Sequence, residues 1–267
     1  MTHHIIFILK KRKSVSKNLQ PKIILKDATL KIPLFSKSNN TLKGKILSNF
    51  TGGKISVENK IKSVVALNSI SCKLYAGERI ALIGHNGAGK TSFIRTISGI
   101  YKLTSGSIET KVDVYPMIER SFIVEEQLTG YDSAKAHYLL INNSLKGFEK
   151  FLDYIINFSG IGEYLYLPLK TYSEGMASRL TFSLLTFHKH DCLALDEGIG
   201  TGDQNFYKKA QKRLDEYLTS NGMLILSSHS TDLLRRFCQR GLVFSSGSII
   251  FDGDLDDALK FYDETNN

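Results

Sequence analysis

The chain has 267 residues, 42% of them apolar, three cysteines and a formal charge of +9. That length supports one large domain with a sizeable core. No apolar run approaches the roughly 18 residues that cross a bilayer, and "IIFIL" near the start falls short of the about 7 residues of a signal-peptide core, so neither a spanning helix nor a secretory leader is expected. Cys72, Cys192 and Cys238 lack the paired spacing of a disulfide framework or a zinc site and are read as small core hydrophobes.

The positive charge is concentrated at one end. Residues 1–63 hold fourteen Lys and Arg against Asp27 and Glu58, a net of +12, and the remaining 21 basic and 24 acidic residues leave −3. A skew of this size points to an anionic neighbour, whether phospholipid headgroups, a lipid pyrophosphate or nucleic acid. The alternative is a solvated arm over residues 1–21.

After that arm, "KIILKDATLKI" (22–32) and "VALNSISCKL" (65–74) alternate apolar and polar residues and predict two strands of an antiparallel sheet, separated by a Ser, Asn, Lys and Gly-rich insertion at 33–63. "RIALIG" (79–84) is a continuous apolar run, as in a parallel strand buried on both faces. The following "TSFIRTISGI" predicts a helix with Phe93, Ile94 and Ile97 inward. A helical subdomain is expected over about 128–175, with two helices between Gly130 and Ile161 and a third starting at Ser173.

Next come a strand "CLALDE", a helix from Asp203 to about Ser220 closed by Gly222, a strand "MLILSSH" and a helix "TDLLRRFC". A short helix "LDDALKFYDE" fills the end, residues 254–267. Strands alternating with helices predict a doubly wound α/β core. His188 and His190 are read as residues at a helix C-terminus that complement its dipole.

In "GHNGAGKT", Gly84, Gly87 and Gly89 let the backbone N–H groups of Asn86 and of Ala88 to Ser92 face phosphate oxygens at a helix N-terminus. Lys90 is placed to neutralise the β- and γ-phosphates, and the Thr91 hydroxyl to ligate Mg²⁺. "CLALDE" supplies a second need of phosphoryl transfer, an apolar strand ending in Asp196, which can hold the cation, and Glu197, a base for the attacking water. His229 closes the next strand and can hydrogen-bond the γ-phosphate and that water. In "TYSEGM", Ser173 starts an amphipathic helix with Met176, Leu180, Leu184 and Phe187 on one face, so its end is a second anion-binding N-cap.

This ordered set resembles the nucleotide-binding subunit of ABC transporters over residues 22–253. Within that family, "IGHNGAGKTS", "TYSEGM", "DEGIGTGD" and the insertion before the second strand look like the subfamily that exports O-antigen, capsule or teichoic acid. The resemblance implies an ABC-type P-loop NTPase fold, with a mixed core sheet, an antiparallel β subdomain and a helical subdomain. It also implies a homodimer that sandwiches two ATPs between the P-loop of one subunit and Ser173 to Gly175 of the other, with Asp203 in the D-loop and Mg²⁺ as cofactor. Glu119 is assigned to the Q-loop position and to the cation, with Gln127 the nearest glutamine.

The implied partners are a separate transmembrane permease and a lipid-linked glycan, at the cytoplasmic face of the inner membrane. The additional C-terminal carbohydrate-binding domain of some exporters is not expected. Family members place an aromatic residue against adenine just before "ALNSIS", where this chain has Val64 and Val65; weak adenine selectivity follows unless Tyr75 or another ring substitutes. The rival is an ABC-type ATPase on nucleic acid, but those heads separate P-loop and signature by a long coiled coil, whereas Lys90 and Ser173 are 83 residues apart. Nucleic acid is therefore not an expected partner. A P-loop kinase of small molecules leaves "TYSEGM" and His229 without a role.

Overall fold

The computed structural model describes residues 20–33, 63–117, 125–196, 204–220 and 222–266. β1 (Pro21–Pro33) and β2 (Ser63–Tyr75) pair antiparallel, and β4 (Ser105–Thr110) lies on the other side of β1, giving a three-stranded sheet. The inward set of β1 is Ile23, Leu25, Ala28 and Leu30, so the two-residue period slips by one after Leu25. A bulge at Asp27, with φ 46°, absorbs the slip and keeps both halves facing the core.

The second sheet has the order β5-β6-β7-β3-β8-β9. Its members are β3 (Arg79–Ile83), β5 (Val114–Met117), β6 (Cys192–Asp196), β7 (Met223–Ser227), β8 (Arg240–Ser245) and β9 (Ser248–Asp254). All are parallel except β9, which closes a hairpin with β8. The parallel interior explains the unbroken apolar runs of β3, β6 and β7, which are covered on both faces. One face, with Ile80, Leu82, Ala194 and Ile225, packs against the first sheet and α1 (Lys90–Ile97), where Phe93, Ile94 and Ile97 are buried as expected. The other, with Ala81, Leu193 and Leu224, receives α5 (Gln204–Ser220), α6 (Thr231–Phe237) and α7 (Leu255–Asn266).

Between β5 and β6 the chain forms α2 (Gly130–Asn142), α3 (Phe148–Ser159), two short 3₁₀ turns and α4 (Glu174–Thr186). These pack on an aromatic core around Tyr138, Phe148 and Phe151, into which α4 inserts Leu180 and Leu184. Two cations of α5 fasten the unit to the main body. Lys209 Nζ donates to the Asn157 and Phe158 carbonyls at the end of α3, 3.0 and 2.9 Å away. Arg213 donates to the Thr186 carbonyl at the end of α4 and lies over the Tyr154 ring.

Arg213 therefore serves the helix end that sequence reading assigned to His188 and His190. Burial holds His188 below its ordinary value and, aided by His188, pushes His190 down to about 4, so both are neutral near pH 7 and add no charge to the dipole. His190 instead stacks on Tyr115 at a ring separation of 3.9 Å. The three cysteines are buried and unbridged, as expected. Among the described residues, no helix is long and apolar enough to cross a membrane.

Candidate nucleotide site

The loop Gly84–Gly89 leaves the C-terminal end of central strand β3 and enters α1 directly. Two of its glycines are required by space as well as by backbone angle. A Cβ on Gly84 would lie 2.6 Å from the Phe244 carbonyl, and one on Gly89, at φ 111°, would lie 2.9 Å from the Ala66 carbonyl. The loop is thus pressed onto β8 and β2. A support that sequence reading missed reinforces it: the Gly247 N–H donates to the Ala88 carbonyl at 2.9 Å, and the Gly247 carbonyl accepts from the Asn68 N–H at 2.8 Å. Gly247 sits in the two-residue β8–β9 turn with Ser246, both at positive φ, and "SSGS" between two apolar runs was the available signal.

Lys90 is nearly buried, and its ammonium donates to the Gly84 carbonyl at 2.6 Å and the His85 carbonyl at 3.1 Å. The cation is held at the lip of the loop before any anion is considered. The Thr91 hydroxyl donates to Asp196 Oδ2 at the tip of β6. Residues 105 apart in sequence thus place one neutral and one anionic oxygen donor beside Lys90. Hard oxygens of this kind suit Mg²⁺ rather than a softer metal. Among the described residues no group of three or more His, Cys, Asp or Glu could hold a metal ion, so a cation here would complete its shell with phosphate oxygens and water, which is how Mg²⁺ is commonly bound.

His229 is exposed two residues beyond β7, the strand between β6 and β3. Asn86, Gly87, Ala88 and Ser92 lie in the loop and the first turn of α1. Ser173 is the N-cap of α4: its Oγ accepts from the Met176 N–H at 3.3 Å, and its backbone is extended at φ −67°, ψ 159°. It is exposed, Gly175 is half-buried, and α4 packs on α2, α3 and α5. No hydrogen bond among the described residues joins Ser173 to the Lys90 loop; Ser173 opens α4 of the helical unit, and Lys90 opens α1 behind the parallel sheet. Glu119, Glu197 and Asp203 lie outside the described residues, as do residues 1–19 of the basic arm and most of the insertion. Gln127 is described, and its side-chain oxygen accepts from Lys170 at 3.0 Å.

Residues 67–200 match the family described as ABC transporter, half of the chain. The chain is also 33% identical, over 88% of its length and 98% of the relative's, to the O-antigen export system ATP-binding protein RfbE of Yersinia enterocolitica. The chain belongs to the ABC transporter family. A second relative, the ATP-binding protein BexA of Haemophilus influenzae, is 35% identical over 74% of this chain and 90% of its own. The fold agrees with a solved ATP-binding cassette, MJ0796, in a dimeric post-hydrolysis state with ADP and Pi, at a TM-score of 0.62 and 14% identity over 87% of this chain and 98% of that one.

The segment where the family resemblance leads one to expect an aromatic residue carries valines instead. Val64 and Val65 are 50% and 44% exposed, one or two residues from the Ala66 carbonyl that touches the loop. Tyr75 cannot take their place, since it ends β2 ten residues further on, roughly 30 Å along an extended strand. With no ring at this position, turnover of ATP and GTP by this ABC ATPase should differ by less than about threefold. Base stacking contributes about 1–3 kcal/mol, so Val65→Tyr is expected to raise kcat/KM for ATP about tenfold. A strong native preference for ATP in side-by-side kinetics contradicts this reading.

Proposed function

We propose that this chain is the ATP-hydrolysing subunit of an exporter that moves a lipid-linked cell-surface polysaccharide, working as a homodimer on a separate transmembrane permease at the cytoplasmic face of the inner membrane. The observation that carries the hydrolytic part is the meeting of Thr91 and Asp196 beside Lys90 at the end of the parallel sheet. The polysaccharide part rests on relatives named for O-antigen export, teichoic acid export and capsule polysaccharide export.

In this reading the N–H groups from Asn86 to Ser92 cradle the phosphates, with positive potential from the N-terminus of α1. Lys90 moves from its two carbonyls to the β- and γ-phosphate oxygens, exchanging dipoles for full charges. Thr91 and Asp196 would hold Mg²⁺, which would supply positive charge to neutralise the phosphoryl oxygens. Glu197, next in sequence after Asp196, accepts a proton from the attacking water, while His229 donates to the γ-phosphate. Glu119 and Asp203 complete the cation site and the dimer contact. Ser173 to Gly175 close on the nucleotide held by the second copy, so release of phosphate loosens the dimer and moves the permease.

The test is made in the native cell. Lys90→Met should remove the polysaccharide from the cell surface while its lipid-linked form accumulates inside. Normal surface polysaccharide in that strain overturns the export assignment.

A further inference from the structure

The last residue of β7 is a serine in an otherwise apolar strand, "MLILS". Ser227 is 0% exposed, and its hydroxyl has no hydrogen-bond partner among the described residues. Its position relates it to the cation site. In the parallel register Ser227 is the direct partner of Asp196 on one side and of Leu82 on the other. Paired residues on neighbouring strands share a face, and the strands lie about 4.8 Å apart.

The burial pattern fixes which face. Cys192, Ala194, Met223 and Ile225 belong to the core that contains Phe93 and Ile94 of α1, while Leu193, Leu195, Leu224 and Leu226 belong to the opposite one. Alternation continues to the strand ends, so Asp196 and Ser227 both stand on the α1 side. The hydrogen bond from Thr91, the second residue of α1, to Asp196 agrees with this.

A buried hydroxyl without a partner is unfavourable, and alanine would fill the strand without that cost. We propose that Ser227 is an outer ligand of the divalent cation, hydrogen-bonding a water in the hydration shell of the ion that Thr91 and Asp196 hold. The inference rests on the nucleotide-site reading above. Magnesium keeps several waters when bound, and a hydroxyl that both donates and accepts can orient one of them beside the carboxylate. Ser227 is a positioning residue here: it touches neither the phosphates nor the attacking water.

The experiment titrates Mn²⁺ into the full chain with the non-hydrolysable analogue adenylyl imidodiphosphate, reading bound Mn²⁺ by electron paramagnetic resonance. Loss of a hydrogen bond in the outer shell typically weakens metal affinity at least tenfold, so Ser227→Ala should shift the Mn²⁺ midpoint about tenfold upward. Its melting temperature without nucleotide should stay equal or rise, and analogue binding in EDTA should be unchanged. Ser227→Thr and Ser227→Val add the same volume and differ in the hydroxyl, so threonine should bind Mn²⁺ more tightly than valine. Wild-type Mn²⁺ affinity in Ser227→Ala, or equal losses in the Thr and Val variants, overturns the proposal. Absence of Mn²⁺ binding in the wild-type chain overturns the nucleotide-site reading itself, and this inference with it.

Discussion

Lys90→Met is expected to lower ATP hydrolysis about a thousandfold, the scale on which removal of one preorganised charge-stabilising donor acts. The ammonium is almost buried and held at the loop by the Gly84 and His85 carbonyls, so its charge is already stationed beside the phosphate cradle before it exchanges those carbonyls for phosphate oxygens. Methionine keeps the aliphatic stem that fills the site but carries no charge. A hydrogen bond to a charged group contributes about 1.5–3 kcal/mol, so ATP affinity should also fall by about tenfold to a hundredfold. The two carbonyls lose their donor, so the melting temperature is measured in parallel. Hydrolysis within a few fold of wild type in a folded variant contradicts the role given to Lys90.

The second large effect concerns Ser173, 83 residues beyond Lys90 in the sequence. Its hydroxyl caps α4, and loss of a cap alone costs about 1 kcal/mol. Ser173→Asn and Ser173→Asp both retain an oxygen that accepts from the Met176 N–H, so both should preserve the helix. They differ in charge. If this helix end meets the phosphate of a nucleotide on a second copy, asparagine keeps most of the activity, whereas aspartate sets anion against anion and lowers hydrolysis a hundredfold or more, about 2.7 kcal/mol. Equal activity of the two variants, measured as steady-state phosphate release, removes Ser173 from the nucleotide contact.

The parts of the fold that were legible in the sequence are those where one physical demand acted alone. β3, β6 and β7 are buried on both faces and read as plain apolar runs, and the glycines of the loop answer to contacts with Phe244 and Ala66. β4 escaped notice because it is a polar edge strand with five of six residues exposed. β5 did so because Pro116 breaks the pattern; as the edge of its sheet it pairs only with β6, where a missing N–H is tolerated. The capping of α4 by Arg213 joins residues 27 apart, and nothing in either segment announces the other. Ser227 is not legible in the sequence, because a serine beside "SH" reads as the polar end of a strand; only the register sets it against Asp196.

The Lys90 loop of one copy and the Ser173 end of another are expected to close on one nucleotide. Light scattering on Glu197→Gln, with and without MgATP, tests it most directly. Slow hydrolysis should trap a dimer that appears only with MgATP, and adding Ser173→Arg should return the protein to a monomer that still binds ATP. A double variant that dimerises with MgATP as fully as Glu197→Gln alone contradicts the account.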